Sequence, residues 1–555
     1  MPSKDTQRRT RNTRRQVLAA MGGAGAAALA GCGDVFDGDA DPDVNDFTAS
    51  LGAEPDDFDP TVINDATSNS AVGTMCYETL LDHDFDLEEF QPALATDWEL
   101  LEEEPTTWRF ELRDGVEYHH GEELVAEDVA FSIERMRGTV NTATVAAIEA
   151  VDVVDDLEVE IRWVGPYAPA LTDVSGIPIV PHGHEDISEA PAEDDHSFDE
   201  ESIGTGPWVL ESYDPEDRVE LSPFDGYWHD EENPWDSVTL RIIPEQVSQE
   251  EAMRAGELDM IDNPAPFDLD QWDGEDADPL VDDAVGFDFI TFPVNVEPYT
   301  NEKFRRGMTR LIPRDDIVEA IFGGNATPLA GPISPGLGTY WDVEHEQELS
   351  DEFVGEDPEE GVRLMEEALE EEGFDDDDLP IEVEFITNVN RTRERWMEEI
   401  QARMDDLDFI DADLDVQDFD ALVNFLLDPD GAAQSVDIVG IGWTGGSDPD
   451  GHVESLLHSD FHVPDGFNWN LYENEAVDRL IDAGQTTIDI DERVQVYRDL
   501  QEVLAEDVPA AYMWTGDQID VVNTVRVDGW EPYPNSSFRY WALYRPSVGV
   551  VARPT

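Results

Sequence analysis

Apolar and polar side chains alternate with a period of two over residues 108–112, 159–163, 238–242 and 381–385, the pattern of strands that bury one face. Elsewhere the period lengthens to that of a helix. Asp357 is placed to cap one, with Pro358 in its first turn and Glu360 completing a capping box, and Val362, Met365 and Leu369 then fall on a single face. Asn474 and Asp491 open two more, carrying Val477, Leu480 and Ile481 on one and Val494, Tyr497, Leu500, Val503 and Leu504 on the other. Interspersed strands and amphipathic helices predict an α/β fold with mixed sheets flanked by helices, and the length predicts two to four domains. No repeat with a period of about 20–50 residues is present, which disfavours solenoids and propellers.

The first apolar run is of a different kind. Arg14-Arg15-Gln16-Val17-Leu18 carries a twin arginine, an apolar stretch continues over residues 17–30, and Leu29-Ala30-Gly31-Cys32 closes it. This stretch falls short of the ~20 residues that span a bilayer, and its small side chains suit a peptidase better than lipid. Residues 1–31 are therefore expected to be a twin-arginine lipoprotein signal, with lipid attached at Cys32. Residues 32–46 are Asp-rich with few apolar anchors, which predicts an acidic tether before a body that starts near Phe47.

Charge changes the picture further. The chain holds 132 Asp+Glu against 31 Lys+Arg, for a formal charge of -101, and its two lysines are Lys4 and Lys303. At about 1 M salt the screening length shrinks to about 3 Å, so such a surface hardly repels itself; in dilute buffer it opposes compaction. This is the composition of a halophilic protein. Disorder is excluded as its general cause by 40% apolar residues, 14 Trp and 24 Phe. Nucleic acid is excluded as a partner because phosphate binding needs clustered cations, and the run Arg391, Arg393, Arg395 reads as a solvated helix start. With Cys32 lipidated, Cys76 has no disulfide partner and is expected to be a small buried hydrophobe.

Enzyme signatures are thin: serine-hydrolase, zinc-protease and phosphate-loop motifs are all missing. His119-His120 and His182-Gly183-His184-Glu185 could ligate a metal, but locally bonded histidines explain them better, and no metal or cofactor is expected. Asp428-Pro429-Asp430-Gly431 and Asp448-Pro449-Asp450-Gly451, the latter followed by Glu454, lack the full spacing of a calcium loop and predict tight turns. The apolar strand of residues 436–443 ends differently. It runs through Gly440, Gly442 and Trp443 into Thr444-Gly445-Gly446-Ser447-Asp448, where glycines admit another backbone and the indole offers a flat surface to an extended ligand. A core Trp before a turn is the plainer alternative.

Residues 90–98, 108–116 and 120–132, followed by Ile203-Gly204-Thr205-Gly206-Pro207-Trp208, Tyr227-Trp228, residues 255–259, Phe304-Arg305-Arg306-Gly307 and the helix over 493–509, resemble the oligopeptide/dipeptide/nickel-binding family (family 5) of ABC-transporter solute-binding proteins along most of the chain. One departure is Val125, where the family usually has a capping Thr, so the helix after it is expected to start less firmly.

The resemblance implies a two-lobed periplasmic-binding-protein-like fold (type II, with an additional domain). Lobe I would comprise 47–75, 203–285 and 520–546, the additional domain 76–202, and lobe II 286–519. It further implies a lipid-anchored monomer on the outer face of the cell membrane, which is not an enzyme and which hands a peptide to the ABC permease. Trp443 would lie at the ligand, and Gly442 to Gly445 would pair with its backbone. The family's peptide binders place an acid three residues after that Trp, where this chain has Gly446; Asp448 is the nearest substitute. Asn295 and Trp514 also match positions near the cleft, with packing as an equal alternative. An oligosaccharide or a nickel chelate is a second class of cargo that the resemblance allows, and a cell-surface hydrolase or a structural envelope protein would be rivals of another class.

Overall fold

The computed structural model describes residues 45–555, apart from 86, 88, 102–103, 140, 185–186, 188–201, 262–263, 273–275, 376, 429–437 and 465. The signal, Cys32 and nearly all of the tether lie outside the described residues, as do Glu185, residues 192–195, most of the turn at 428–431 and the first two residues of the run at 436–443. Among the described residues no helix is long and apolar enough to cross a membrane.

Two large mixed sheets organise the body. The first has seven strands in the order Asp278–Asp282, Gln518–Val522, Met260–Ile261, Asp46–Leu51, Ser237–Ile242, Arg218–Pro223 and Trp208–Asp214. The second has six: Ala326–Pro328, Ala510–Gly516, Phe287–Thr291, Ile438–Trp443, Ile381–Asn388 and Ile410–Gln417. The chain joins them through residues 283–286 and again at Asp517. A third, antiparallel sheet of four strands, Ala95–Leu100, Thr107–Leu112, Glu158–Trp163 and Ile148–Asp155, carries the helix Ala126–Met136 and encloses its own core around Phe110, Tyr118, Ile161 and Trp163. The fold is thus α/β and two-lobed, with mixed sheets flanked by helices.

Each period-two segment is a strand, because alternate side chains enter a core: in Ile381–Asn388, Val383 and Phe385 enter one and Ile386 the core on the opposite face. The helices formed where the caps predict, with differences in detail. Asp357 accepts from the Glu360 amide at 3.1 Å, but the Glu360 carboxylate turns to Arg363 instead of closing a capping box. Asn474 caps Glu475–Thr486, whereas the next helix, Ile490–Asp507, is capped by Asp489, so that Asp491 sits in its first turn. Val125 offers no side-chain cap, yet its own amide donates to Asp128 Oδ2 at 2.8 Å, which leaves that helix half-capped. Cys76 is a free, fully buried thiol.

Candidate functional site

Strand Ile438–Trp443 builds the site from its alternation. Val439 and Ile441 face one core, and Gly440 faces the other, where an added Cβ would meet Met397 Sδ at 2.5 Å. The same period places Trp443 on the side of Ile441 and Gly442 on the side of Gly440. Pairing with strand Ile381–Asn388 stops at Gly440, while pairing with Phe287–Thr291 continues to Trp443. Ile441 to Trp443 are therefore bonded along one edge only, and all three line a cavity of about 890 Å³.

The cavity's other walls come from distant parts of the chain. Tyr77, Asp82, His83, Thr172 and Ser175 line one side, Phe419, Phe467 and Trp469 another, and Tyr533, Trp541 and Arg545 close it. Trp443 presents its ring edge-on to Phe467, with centroids 5.3 Å apart, and its indole N–H donates to Gly451 O at 2.9 Å, which fixes the ring's plane. Gly445 and Gly451 let two loop segments touch: a Cβ on Gly445 would stand 2.4 Å from Gly451 O. Gly446 adopts φ +79° with open space around its absent Cβ, and its carbonyl meets His452 Nε2 at 2.9 Å.

The buried ionic groups of this wall, Asp82 and Arg545, pair with each other. Arg545 binds Asp82 through Nε and Nη2 at 3.1 and 2.9 Å, and Ser547 Oγ donates to the same carboxylate at 2.7 Å. Burial pushes the His83 imidazole down to about 4, so it is neutral, with Nε2 at 2.9 Å from Ser447 Oγ and 3.2 Å from Ser175 Oγ. Next to this cavity a second one, of about 340 Å³, shares Gly442, Trp443 and Phe419 and contains Asp288 and Arg393. Arg393 is no solvated helix residue: it donates twice to Asp288 Oδ1, at 2.8 and 3.0 Å, and once to Asn388.

Of the sequence-derived site residues, Trp443, Gly442 and Gly446 line the main cavity, and Gly445 lies between lining neighbours. Asp448 points elsewhere: both its oxygens are held by Arg493, at 2.6 and 2.7 Å, and its side chain is 11% exposed. Trp514 is fully buried, edge-on to Trp396 and tilted against Phe322, which makes it a core residue. Asn295 follows strand Phe287–Thr291 at the end remote from Trp443, since Phe287 pairs with Trp443 and Thr291 with Val439. The histidines have local partners: His119 contacts Ser202 and Gly206, and His182 Nδ1 lies 2.7 Å from Asp128. Among the described residues no group of His, Cys, Asp and Glu is arranged to hold a metal.

A family model for bacterial extracellular solute-binding proteins, family 5 (middle), matches residues 89–461. The chain belongs to this family. It is an extracytoplasmic receptor of the ABC-import type, in a family whose members bind solutes without catalysis, and the hydrolase alternative falls with that assignment. The dipeptide-binding protein of Escherichia coli is 26% identical over 82% of this chain and 86% of its own. Heme-binding protein A of Haemophilus influenzae is 25% identical over 91% and 92%. Among solved structures, the dipeptide-binding protein of Pseudoalteromonas in complex with Met-Leu superposes with TM-score 0.76 at 19% identity, covering 92% of this chain and all of the other.

The walls that sequence reasoning missed had signals of their own. Phe467-Asn468-Trp469-Asn470 alternates aromatics with amides after a Pro-Asp-Gly sequence, and Arg545 is a cation that ends the aromatic run of residues 538–545. A buried arginine demands an acid, and Asp82 supplies it from 463 residues away.

Proposed function

We propose that this family-5 receptor is a lipid-anchored monomer that captures short peptides outside the cell and delivers them unaltered to an ABC permease. The observation that carries the peptide reading is the one-sided pairing of Ile441 to Trp443 along the cavity wall: an extended peptide adds itself to such an edge through main-chain hydrogen bonds. The glycines at 442 and 445 let that wall pack closely on its support, since a Cβ there would meet Arg393 Nη2 at 2.5 Å and Gly451 O at 2.4 Å. We take the lobes as 47–75, 203–285 and 520–546 on one side and 286–519 on the other, with 76–202 as the additional domain; the composition of the two large sheets supports this division. Ligand gripped by both would favour closure, and driving an open–closed ratio from 1:99 to 99:1 takes about 5.5 kcal/mol of differential affinity. The leader supports export with anchoring at Cys32, and Cys32→Ser should release the protein from membranes.

A second reading, a non-peptide solute such as an oligosaccharide or a metal chelate, is favoured by one feature. Gly446 supplies no carboxylate for a peptide's ammonium, and Asp448 is committed to Arg493. Incubating the purified protein in molar KCl with di- to hexapeptides, then identifying what is retained after gel filtration, separates the two. Intact peptide at one per chain supports the first reading. Retention of sugars or chelates with rejection of every peptide overturns it.

A further inference from the structure

Counting charges around the main cavity leaves an asymmetry. Of the residues described along its wall, Arg545 is the one guanidinium, and its charge is matched by Asp82 through Nε and Nη2, while its buried Nη1 has no hydrogen bond and faces the Glu78 carboxyl at 3.7 Å. His83 is neutral. In the adjoining cavity Arg393 is matched by Asp288. Asp65 is different: it lines the main cavity, is half-buried, and its carboxylate accepts only the Ser68 amide, at 2.7 Å, with no ion pair among the described residues.

Two other features act in the same direction. The wall has open aromatic rings, including Trp443, Phe419 and Phe467, and the ring quadrupole attracts cations and not anions. Inside a low-dielectric crevice salt screens the wall's own carboxylates, Asp65 and Asp82, far less than those at the surface. A solute of net negative charge entering here would meet no unpaired cation among the described residues. It would have to break an existing pair, and taking Arg545 leaves Asp82 buried and unmatched, which is costlier than the new pair is worth.

Resting on the receptor reading above, we infer that this cavity selects by charge, admitting neutral and cationic solutes and rejecting anionic ones, with Asp65 the carboxylate that a cationic group meets. Charge selection would thereby come from what the wall lacks, a free guanidinium, and from the one acid it leaves open.

A matched set tests this with one aromatic skeleton in three charge states: phenylalaninamide (cation), N-acetylphenylalaninamide (neutral) and N-acetylphenylalanine (anion). Binding to the full mature chain in molar KCl at neutral pH is read by saturation-transfer NMR. The cation and the neutral compound should bind, and the anion about tenfold more weakly or not at all. Asp65→Asn should weaken the cation alone, by several-fold, leaving the neutral compound unchanged. Should the anion bind as well as the neutral compound, the charge selection is wrong while the receptor reading stands. If none of the three binds although di- to hexapeptides are retained, the charge selection falls and the receptor reading stands.

Discussion

Asp448 and Arg493 form a bidentate pair, 2.6 and 2.7 Å long, in which the arginine also donates to Gly484 O at 2.7 Å and to the Tyr340 hydroxyl at 2.7 Å. The carboxylate nearest the Gly446 position is thus a structural counter-ion. Around it lie Asp173, Asp450 and Glu454, all with pKa values raised first by burial; neighbouring carboxylates raise Asp173 and Asp450 further, and Asp482 raises Glu454.

Arg493→Ala should therefore act on stability. Removing one partner of a buried pair typically costs about 3–5 kcal/mol, and the neighbouring acids add repulsion here. Denaturant unfolding in molar salt checks it; a loss below about 1 kcal/mol would show that the pair holds nothing together.

Trp443→Ala removes an aromatic wall and the hydrogen bond to Gly451, and trims one core only at its edge, where the half-buried ring packs. Burying such a side chain against ligand is worth about 1.5–3 kcal/mol, so affinity should fall about 10- to 100-fold. Calorimetric titration with the retained solute measures this, and an unchanged affinity would take Trp443 out of the site.

Gly446→Asp tests the second departure from the peptide receptors. The position has φ +79° and room for a Cβ, and Asp is among the residues that tolerate left-handed backbone, at a cost of about 1 kcal/mol. Affinity for peptides with a free ammonium should rise several-fold relative to their N-acetylated forms. Equal gains for both forms would contradict an electrostatic origin.

Stability should decline with rising pH on account of carboxyls that are protonated in the fold. Burial raises Glu346 to about 8 and Asp520 to about 7. Since each binds a proton when folded that it loses when unfolded, its contribution is full below about pH 4 and is lost as pH rises through those values. His83 and His452 have the opposite sign: burial depresses both to about 4, so their contribution is present above about pH 6.5 and lost as pH falls toward 4. In Glu346→Gln the fall in Tm between about pH 6 and 9 should be shallower than in the parent chain. Identical slopes would remove Glu346 from the balance.

How much of this could be read beforehand depended on the range of the interaction. Strands 107–112, 158–163 and 237–242 and the caps at Asp357 and Asn474 were legible because alternation and capping act over a few residues. The Trp443 loop was legible because glycines and an indole at a strand end are a local signature. Arg393 read as solvated because its partner Asp288 is 105 residues distant, and Asp448 read as available because Arg493 is 45 residues away. Trp514 could not be told from a cleft residue, since a strand buried on both faces gives no alternation to mark which side is open.

Native mass spectrometry of the mature chain, purified from its own cells in molar salt and compared with Trp443→Ala prepared identically, tests the central claim most directly. One small molecule per parent chain, released chemically intact on unfolding and missing from the variant, is the expected result. A parent chain that carries no solute, that yields cleaved products, or that is matched in occupancy by Trp443→Ala would contradict it.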